Sequence, residues 1–296
     1  MKVAVISRNE RFWATRMILK AVRTAGQAPV FLRTDQIRLV VGIPAADATS
    51  EGTSLMTNDV FIPRIGRSMT DFGKMLLQQL EILGLPATLS GEALTVARNK
   101  FLALQALHKA GVPVPRTALL ASRPSRFEAK TLVPYPAVLK VLSGTQGIGV
   151  MRVRDRDETA SIVDTLNMLG EVVCLQEFIP NPGIDIRAFV VDDEVVASMK
   201  RVAPSGEWRA NIHLGAKGLA IELDDHVKRI AIRASKAVGL EISGVDLIMN
   251  RDEPCVLEVN ASPGFRGLLQ ATGVNAADAI VDYAVRKAET APKLTA

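Results

Sequence analysis

The sequence predicts a mixed α+β and α/β fold in three parts: an open α/β unit over 1–97, then two modules with mixed sheets over 98–179 and 180–296. Three observations predict it. Strand and helix patterns alternate over roughly the first 95 residues. A proline-fixed extended linker, VPVPRT at 112–117, then separates them from strand-rich sequence. Late in the chain, two apolar runs, SGVDLIMN and CVLEVN, face each other across the short turn RDEP. At 296 residues the chain can bury one large core or two to three modest ones.

Each element has a local reason. MKVAVIS is a short apolar strand, and the helical pattern over 11–25 stops at Gly26. PVFLR and NDVFIPRIG supply further strands, and a helix over 70–83 is closed by Gly84. The first turn, SRNERFW, lacks the glycine spacing of a dinucleotide site. One helix is expected over 96–110, ending at Gly111. The β-rich part then begins with AVLKVL, GTQGIGV and MRVR, followed by a helix near 158–169 and the strand VVCLQEFI. After the turn NPG come IRAFVV and VVASMKR, whose spacing across DDE is that of a hairpin. Helices are expected over 224–238 and 276–287.

Composition narrows the function. The chain is 48% hydrophobic and 23% charged, as in soluble globular proteins, and no apolar run reaches membrane-spanning length. Cys174 and Cys255 sit in apolar strands far apart, so reduced buried thiols and a cytoplasmic location are expected. No CxxC or HExxH points to zinc or iron–sulfur. The net charge of +5 is scattered, with 4% aromatics, which favours small anionic ligands over nucleic acid.

The chemistry concentrates in LEVNASPGF (257–265). Glu258 and Asn260, two apart in a strand, share a face, while Leu257 and Val259 are expected on the other. If Arg251, Asp252 and Glu253 form a three-residue connection, Asn250 faces Pro254 and Asp246 falls opposite Glu258. Two carboxylates so close repel or share a proton unless a cation neutralises them, and three oxygen donors suit Mg²⁺; an edge hairpin with solvated acids is the alternative, which the apolar flanks disfavour. GTQGIGV follows the strand holding Lys140; glycines let backbone N–H groups approach phosphates, although this is not a Walker loop. Lys100 lies near a helix start, Arg187 and Lys200 lie within strands, and Arg209 and Asn211 follow a polar loop. His108, His213 and His226 are scattered, with no hydrolase triad spacing.

Taken in order, Lys100, AVLKV with GTQGIGV, QEFI, DIR, RANIH, GVDL and LEVNASPG resemble the ATP-grasp superfamily, and within it the RimK-type ligases that add L-glutamate to a carboxyl terminus. MKVAVISR, IPRIG at 62–66 and NASPGFRGLLQATGV extend the resemblance over nearly the full length. It implies an ATP-grasp fold with an N-terminal Rossmann-like (pre-ATP-grasp) domain. Lys100 and Lys140 would hold ATP phosphates, with Gly144, Gly147 and Gly149 in the loop closing over them. Gln176, Glu177, Phe178 and Ile179 would form the hinge at adenine, Asp185 would reach the ribose, and Arg209 and Asn211 would flank the phosphates. Asp246, Glu258 and Asn260 would bind two Mg²⁺ ions, with Mn²⁺ as a substitute.

Such ligases convert a carboxylate to an acyl phosphate, which an amine then attacks. Arg187, Arg201 and Lys200 are the catalytic candidates, the arginines steadying the acyl phosphate or a substrate carboxylate. L-Glutamate and a carboxylate-bearing peptide or protein acceptor are the implied partners, and a homotetramer the implied assembly. The run NIHLGA, with Leu214 and Ala216, Ser143 before the glycine loop, and Phe265-Arg266 after SPG depart from the family pattern. These positions are expected to flank the substrate region, so the resemblance fixes ATP use more tightly than the amino acid or acceptor. A ligase for another amino acid or a cofactor acceptor is the nearest alternative; a silent nucleotide-binding regulator is another. The complete acid and lysine set argues against the silent form.

Overall fold

The computed structural model describes the chain except residues 44, 125–131, 143–148, 182, 211–214, 252 and 292–296. Strand β1 (Lys2–Ser7) lies between β2 (Ala28–Arg33) and β6 (Val60–Arg64), all parallel. Val3, Ala4, Val5 and Ile6 have no exposure, because helices cover both faces of this central strand. A small antiparallel sheet, β3 (Ile37–Val40), β4 (Asp47–Ser50) and β5 (Thr53–Ser54), is inserted before β6 and was not legible in the sequence.

Helix α1 (Trp13–Thr24) and the last helix, α8 (Ala276–Thr290), cover one face of the first sheet. On the other face, α2 (Thr70–Ile82), α3 (Gly91–Arg98) and α4 (Lys100–Lys109) share a core with the third sheet. The single helix expected over 96–110 is therefore two. Asn99, at φ −104° and ψ 110°, breaks the chain, and its side chain accepts hydrogen bonds from the N–H groups of Phe101 and Leu102. An asparagine that caps a new helix outcompetes continuation of the old one, and Lys100 thereby becomes the first residue of α4.

A second sheet follows, antiparallel in the order β7 (Thr117–Leu120), β10 (Val173–Glu177), β8 (Ala137–Val141), β9 (Val150–Val153). Leu139, Val153, Val173 and Leu175 pack under α5 (Arg156–Met168). Alternation then turns Val138, Lys140, Cys174 and Gln176 to the opposite face.

The third sheet is antiparallel: β13 (Lys217–Ala220), β12 (Glu194–Val202), β11 (Ile184–Val191), β14 (Ile242–Asn250), β15 (Glu253–Asn260). One face, with Ile186, Ala188, Val190, Val245, Leu247, Val256 and Val259, joins the large core with α6 (Asp225–Ala237). The other is apolar at one end, where Phe189, Val191 and Ile242 meet Phe265 and α7 (Arg266–Thr272), and charged at the other. Among the described residues no helix is long and apolar enough to cross a membrane.

The β14–β15 register corrects one expectation. Asp246 does face Glu258, but Asn250 pairs with Glu253 and not Pro254, so the connection is two residues, with Arg251 at φ +58°. Leu247 pairs with Val256, and a bulge then absorbs Leu257 before Asp246 meets Glu258. The shorter turn and the extra residue offset one another. The bulge also breaks the alternation, so Leu257 joins Glu258 on the cleft face while Val259 stays in the core.

Cys174 and Cys255 are free and buried. Burial pushes the Cys174 thiol up to about 11 and the Cys255 thiol up to about 12. The folded protein at pH 8 is expected to react negligibly with a thiol reagent, and both thiols to react on unfolding in guanidinium; fast titration of either in the native state would contradict this burial. The folded thiols ionise above the ordinary value of 9.0, so their contribution is intact below pH 9 and is lost as the pH rises through 11 to 12. Urea midpoints at pH 8 and pH 10 check the sign.

Candidate functional site

A cleft opens between the inward faces of the second and third sheets, with α4 closing one end. Its slot is walled by Val138, Ile179, Ile248 and Leu257, with Phe178 and Trp208 edge to face at 5.9 Å. The Arg152 guanidinium lies 4.2 Å from the Phe178 ring centroid and stiffens that wall. A flat, apolar slot of this kind suits a planar aromatic ligand. Trp208, Arg152, Val138, Ile248 and Leu257 were missed by sequence reasoning, since apolar strand residues and a loop tryptophan carry no spacing signal.

The polar end of the cleft holds Lys100 and Lys140. The Lys140 Nζ donates to Gln176 Oε1 at 2.5 Å, and Gln176 in turn donates to Thr117 Oγ1 at 2.9 Å. Lys100 Nζ reaches the Leu142 carbonyl at 3.4 Å. Burial lowers the pKa of both lysines, and Glu258 opposes the drop in each case. Such half-desolvated cations stand ready for an anion. Glu177 and Phe178 line the slot beyond them; the Glu177 N–H already bonds the Arg116 carbonyl at 2.8 Å. Arg209 lines the cleft while paired with Glu207 at 2.8 Å, and this pairing holds the Glu207 carboxyl down to about 2.

A charged lattice floors the cleft. Asp185 and Arg201 are direct cross-strand partners, as are Arg187 and Asp246. Arg187 donates Nε and Nη2 to the two Asp246 oxygens, both at 2.6 Å. Arg201 donates Nε and Nη2 to Asp185 at 2.5 and 2.6 Å, and its Nη2 also lies 3.1 Å from Asp246 Oδ2. Burial penalises the Asp246 charge, yet the two guanidinium groups outweigh it and hold its carboxyl below the usual range. Burial likewise opposes the Arg201 charge, but Asp246 and Asp185 together hold its proton more firmly than usual. Asp185 has the one guanidinium of Arg201, and burial pushes its carboxyl up to about 6.

Glu258 differs from Asp246. It is exposed to the cleft and makes no hydrogen bond or ion pair among the described residues. The Asn260 Nδ2 donates to the Gly244 carbonyl at 3.2 Å, which leaves its Oδ1 as an acceptor. The donor set is all hard oxygen, as Mg²⁺ requires, with Glu258 and Asn260 available. Asp246 fits only by exchanging a guanidinium contact.

Two expectations change here. Lys200 alternates with Arg201 along β12 and lies on the opposite face of the sheet, so the structure does not bring it into the cleft. Phe265, expected beside the substrate, is wholly buried, edge to face with Trp13 at 5.1 Å and Phe189 at 6.0 Å. That departure is a packing change. Gly149 lies in the turn just before β9 with φ +74°, as a tight turn needs; Gly144, Gly147, Asn211, Ser143 and Leu214 lie outside the described residues.

The chain matches two family descriptions, the RimK PreATP-grasp domain over residues 1–94 and the RimK-like ATP-grasp domain over 97–284. A probable alpha-L-glutamate ligase of Nitrosococcus oceani is 35% identical over 291 residues, covering 97% of this chain and 96% of the relative. One of Shewanella loihica is 36% identical over 294 residues, covering 98% and 97%. Among solved structures, the ATP-grasp ligase PsnB complexed with a minimal precursor superposes with a TM-score of 0.76 at 23% identity, over 96% of this chain and 98% of that one. D-alanine–D-alanine ligase from Bacillus anthracis complexed with ATP gives 0.67 at 18% identity, over 98% and 97%. Fold and family together define an ATP-dependent ligase of the ATP-grasp class. Within that class, the chain belongs to the RimK family.

Because Arg201 is 3% exposed and holds two acids, Arg201→Met is expected to destabilise the fold by about 3–5 kcal/mol, read from urea unfolding. A loss under about 1 kcal/mol, the order expected for a surface pair, would show that the lattice is solvent-screened.

Proposed function

We propose that the protein is an ATP- and Mg²⁺-dependent carboxylate–amine ligase that joins L-glutamate to a peptide, a protein C-terminus or a growing glutamate chain. The observation that supports this most directly is the near full-length likeness to probable alpha-L-glutamate ligases, combined with a cleft that gathers Glu258, two desolvated lysines and a charged floor. In this reading the adenine lies in the slot of Val138, Phe178, Ile179, Ile248 and Leu257 against the hinge of 176–179. Lys100 and Lys140 hold the phosphates. Glu258 and Asn260, with Asp246 after exchange of a guanidinium contact, would hold Mg²⁺, which would neutralise phosphate charge.

The acceptor carboxylate attacks the γ-phosphorus, ADP leaves, and an acyl phosphate forms. The amine of the incoming amino acid attacks the acyl carbon, phosphate leaves with the carbon–oxygen electron pair, and the amine gives up a proton to yield the amide. The protein's own part is to hold the reactants in line and keep water from the acyl phosphate. Asp185, pushed up to about 6 and fixed by Arg201, sits at the ribose end of the slot in this placement.

Two outcomes test the reading. ADP release is expected only when an amino acid and an acceptor are both present, with L-glutamate the preferred amino acid in a screen of the standard set read by mass spectrometry. No amino-acid dependence would sink the ligase, and preference for another amino acid would sink the glutamate assignment. Glu258→Ala is expected to abolish turnover with an unchanged circular dichroism spectrum and melting temperature, because Glu258 makes no hydrogen bond or ion pair among the described residues. Full activity in that variant would refute its place at the metal.

A further inference from the structure

The segment IPRIG at 62–66 takes no part in the reaction as drawn, yet it carries an arginine, Arg64, at the end of β6. β1 and β6 are parallel neighbours, with Ser7 beside Arg64, so their carboxyl ends share one edge, where open α/β sheets place ligands. Arg64 Nη2 donates to the carbonyl of Pro263 at 3.0 Å, in the loop that follows Asn260. That loop is close to the charged floor: a Cβ built on Gly244 would lie 2.8 Å from Pro263 and 3.6 Å from Arg187 Nε. Arg98, the last residue of α3, donates Nη2 to the Ile65 carbonyl at 2.5 Å, and its buried Nε has no partner among the described residues. Arg67 stands exposed beside them, and Ser262 Oγ, adjacent to Pro263, is also buried without a partner.

The contrast with the rest of the cleft is decisive. Arg187, Arg201 and Arg209 each hold a carboxylate. Arg64, Arg67 and Arg98 pair with no acid among the described residues. Leaving partly buried guanidinium groups without a counter-ion is costly, and here two of them are held in place by backbone carbonyls. Burial lowers the Arg64 pKa to about 10 with Arg98 adding to the drop, and burial and Arg67 lower that of Arg98 while Glu258 opposes. Helix α2 fixes the segment from behind: a Cβ on Gly73 would lie 2.5 Å from Ile65 Cγ2. The cluster is thus cationic and anchored through backbone carbonyls, with Arg98 within electrostatic reach of Glu258.

We propose that Arg64 and Arg98, with Arg67 at the mouth, form a subsite that binds a substrate carboxylate, the group Arg grips in bidentate fashion. This deepens the ligase reading and rests on it for the word substrate. It also reassigns the carboxylate clamp from Arg187 and Arg201, whose Nε–Nη2 edges already grip Asp246 and Asp185 in bidentate fashion.

The test uses the full chain with saturating AMPPNP and Mg²⁺, titrated calorimetrically in two arms: L-glutamate, and an acceptor peptide ending in a free carboxylate or in an amide. Arg98→Gln, Arg64→Lys and Arg67→Ala are compared with the native chain, with AMPPNP affinity and melting temperature as controls. Loss of one bidentate contact is expected to weaken carboxylate binding by about tenfold or more, while AMPPNP affinity stays within about twofold. Weakening confined to the glutamate arm assigns the subsite to the amino acid; weakening confined to the free-carboxylate peptide assigns it to the acceptor. Equal weakening of AMPPNP, native carboxylate affinity in all folded variants, or no binding of either carboxylate by the native chain overturns the proposal. Amino-acid-dependent ADP release by the native chain is read separately. If it persists while the variants bind carboxylate normally, the subsite fails and the ligase stands; if it is absent while the variants lose carboxylate binding, the ligase fails and the subsite stands.

Discussion

Asp185, Arg187, Arg201 and Asp246 lie side by side on one face of three adjacent strands, nearly out of reach of water, and most of the cleft is arranged around them. A lone charge here would be intolerable, so each is tied to a cross-strand partner in a bidentate pair. The lattice demands one register of β11 against both neighbours, because a slip of one residue would send every charged group into the apolar core on the other face. It therefore acts as a pin as well as a floor. The same sheet face continues into Phe189, Ile242 and Phe265, so the change from charge to hydrocarbon marks where the cleft ends and the first domain docks.

β15 meets a second constraint. The strand must present Glu258 to the cleft while keeping Val256 and Val259 in the core, and a regular strand cannot do both. The bulge at Leu257 resolves the conflict, and it adds an apolar side chain to the wall of the slot beside the carboxylate. At the opposite side of the cleft, the break at Asn99 has a similar effect. Ending one helix and capping the next places Arg98 and Lys100 at adjacent helix ends, where Lys100 lines the cleft and Arg98 turns to the Ile65 carbonyl.

These features divide the cationic groups of the cleft into two populations. Some guanidinium groups are neutralised by acids of the same sheet through their bidentate edges; others are anchored through backbone carbonyls, with no ion pair to an acid among the described residues. A count of basic residues along the sequence cannot separate the two.

Much of the fold was legible because its elements are local: the glycine stops after the helices, the alternation in β8, β10 and β14, and the hairpin spacings all follow from nearest-neighbour physics. The small β3–β5 sheet, the break at Asn99 and α7 were not, since short strands and a capping asparagine resemble loop sequence. The pairing of Asp246 with Glu258 was legible too, although through a turn one residue too long that the bulge made good. By itself the sequence determined the ordered motifs, and with them the family and the oxygen and lysine set of the cleft. Only tertiary structure decided that Lys200 faces away, that Phe265 is core, and that Arg64 and Arg98 lack the acids that neutralise Arg187 and Arg201. Charge partners are set by residues far apart in the chain, and burial sets how much each unpaired charge matters.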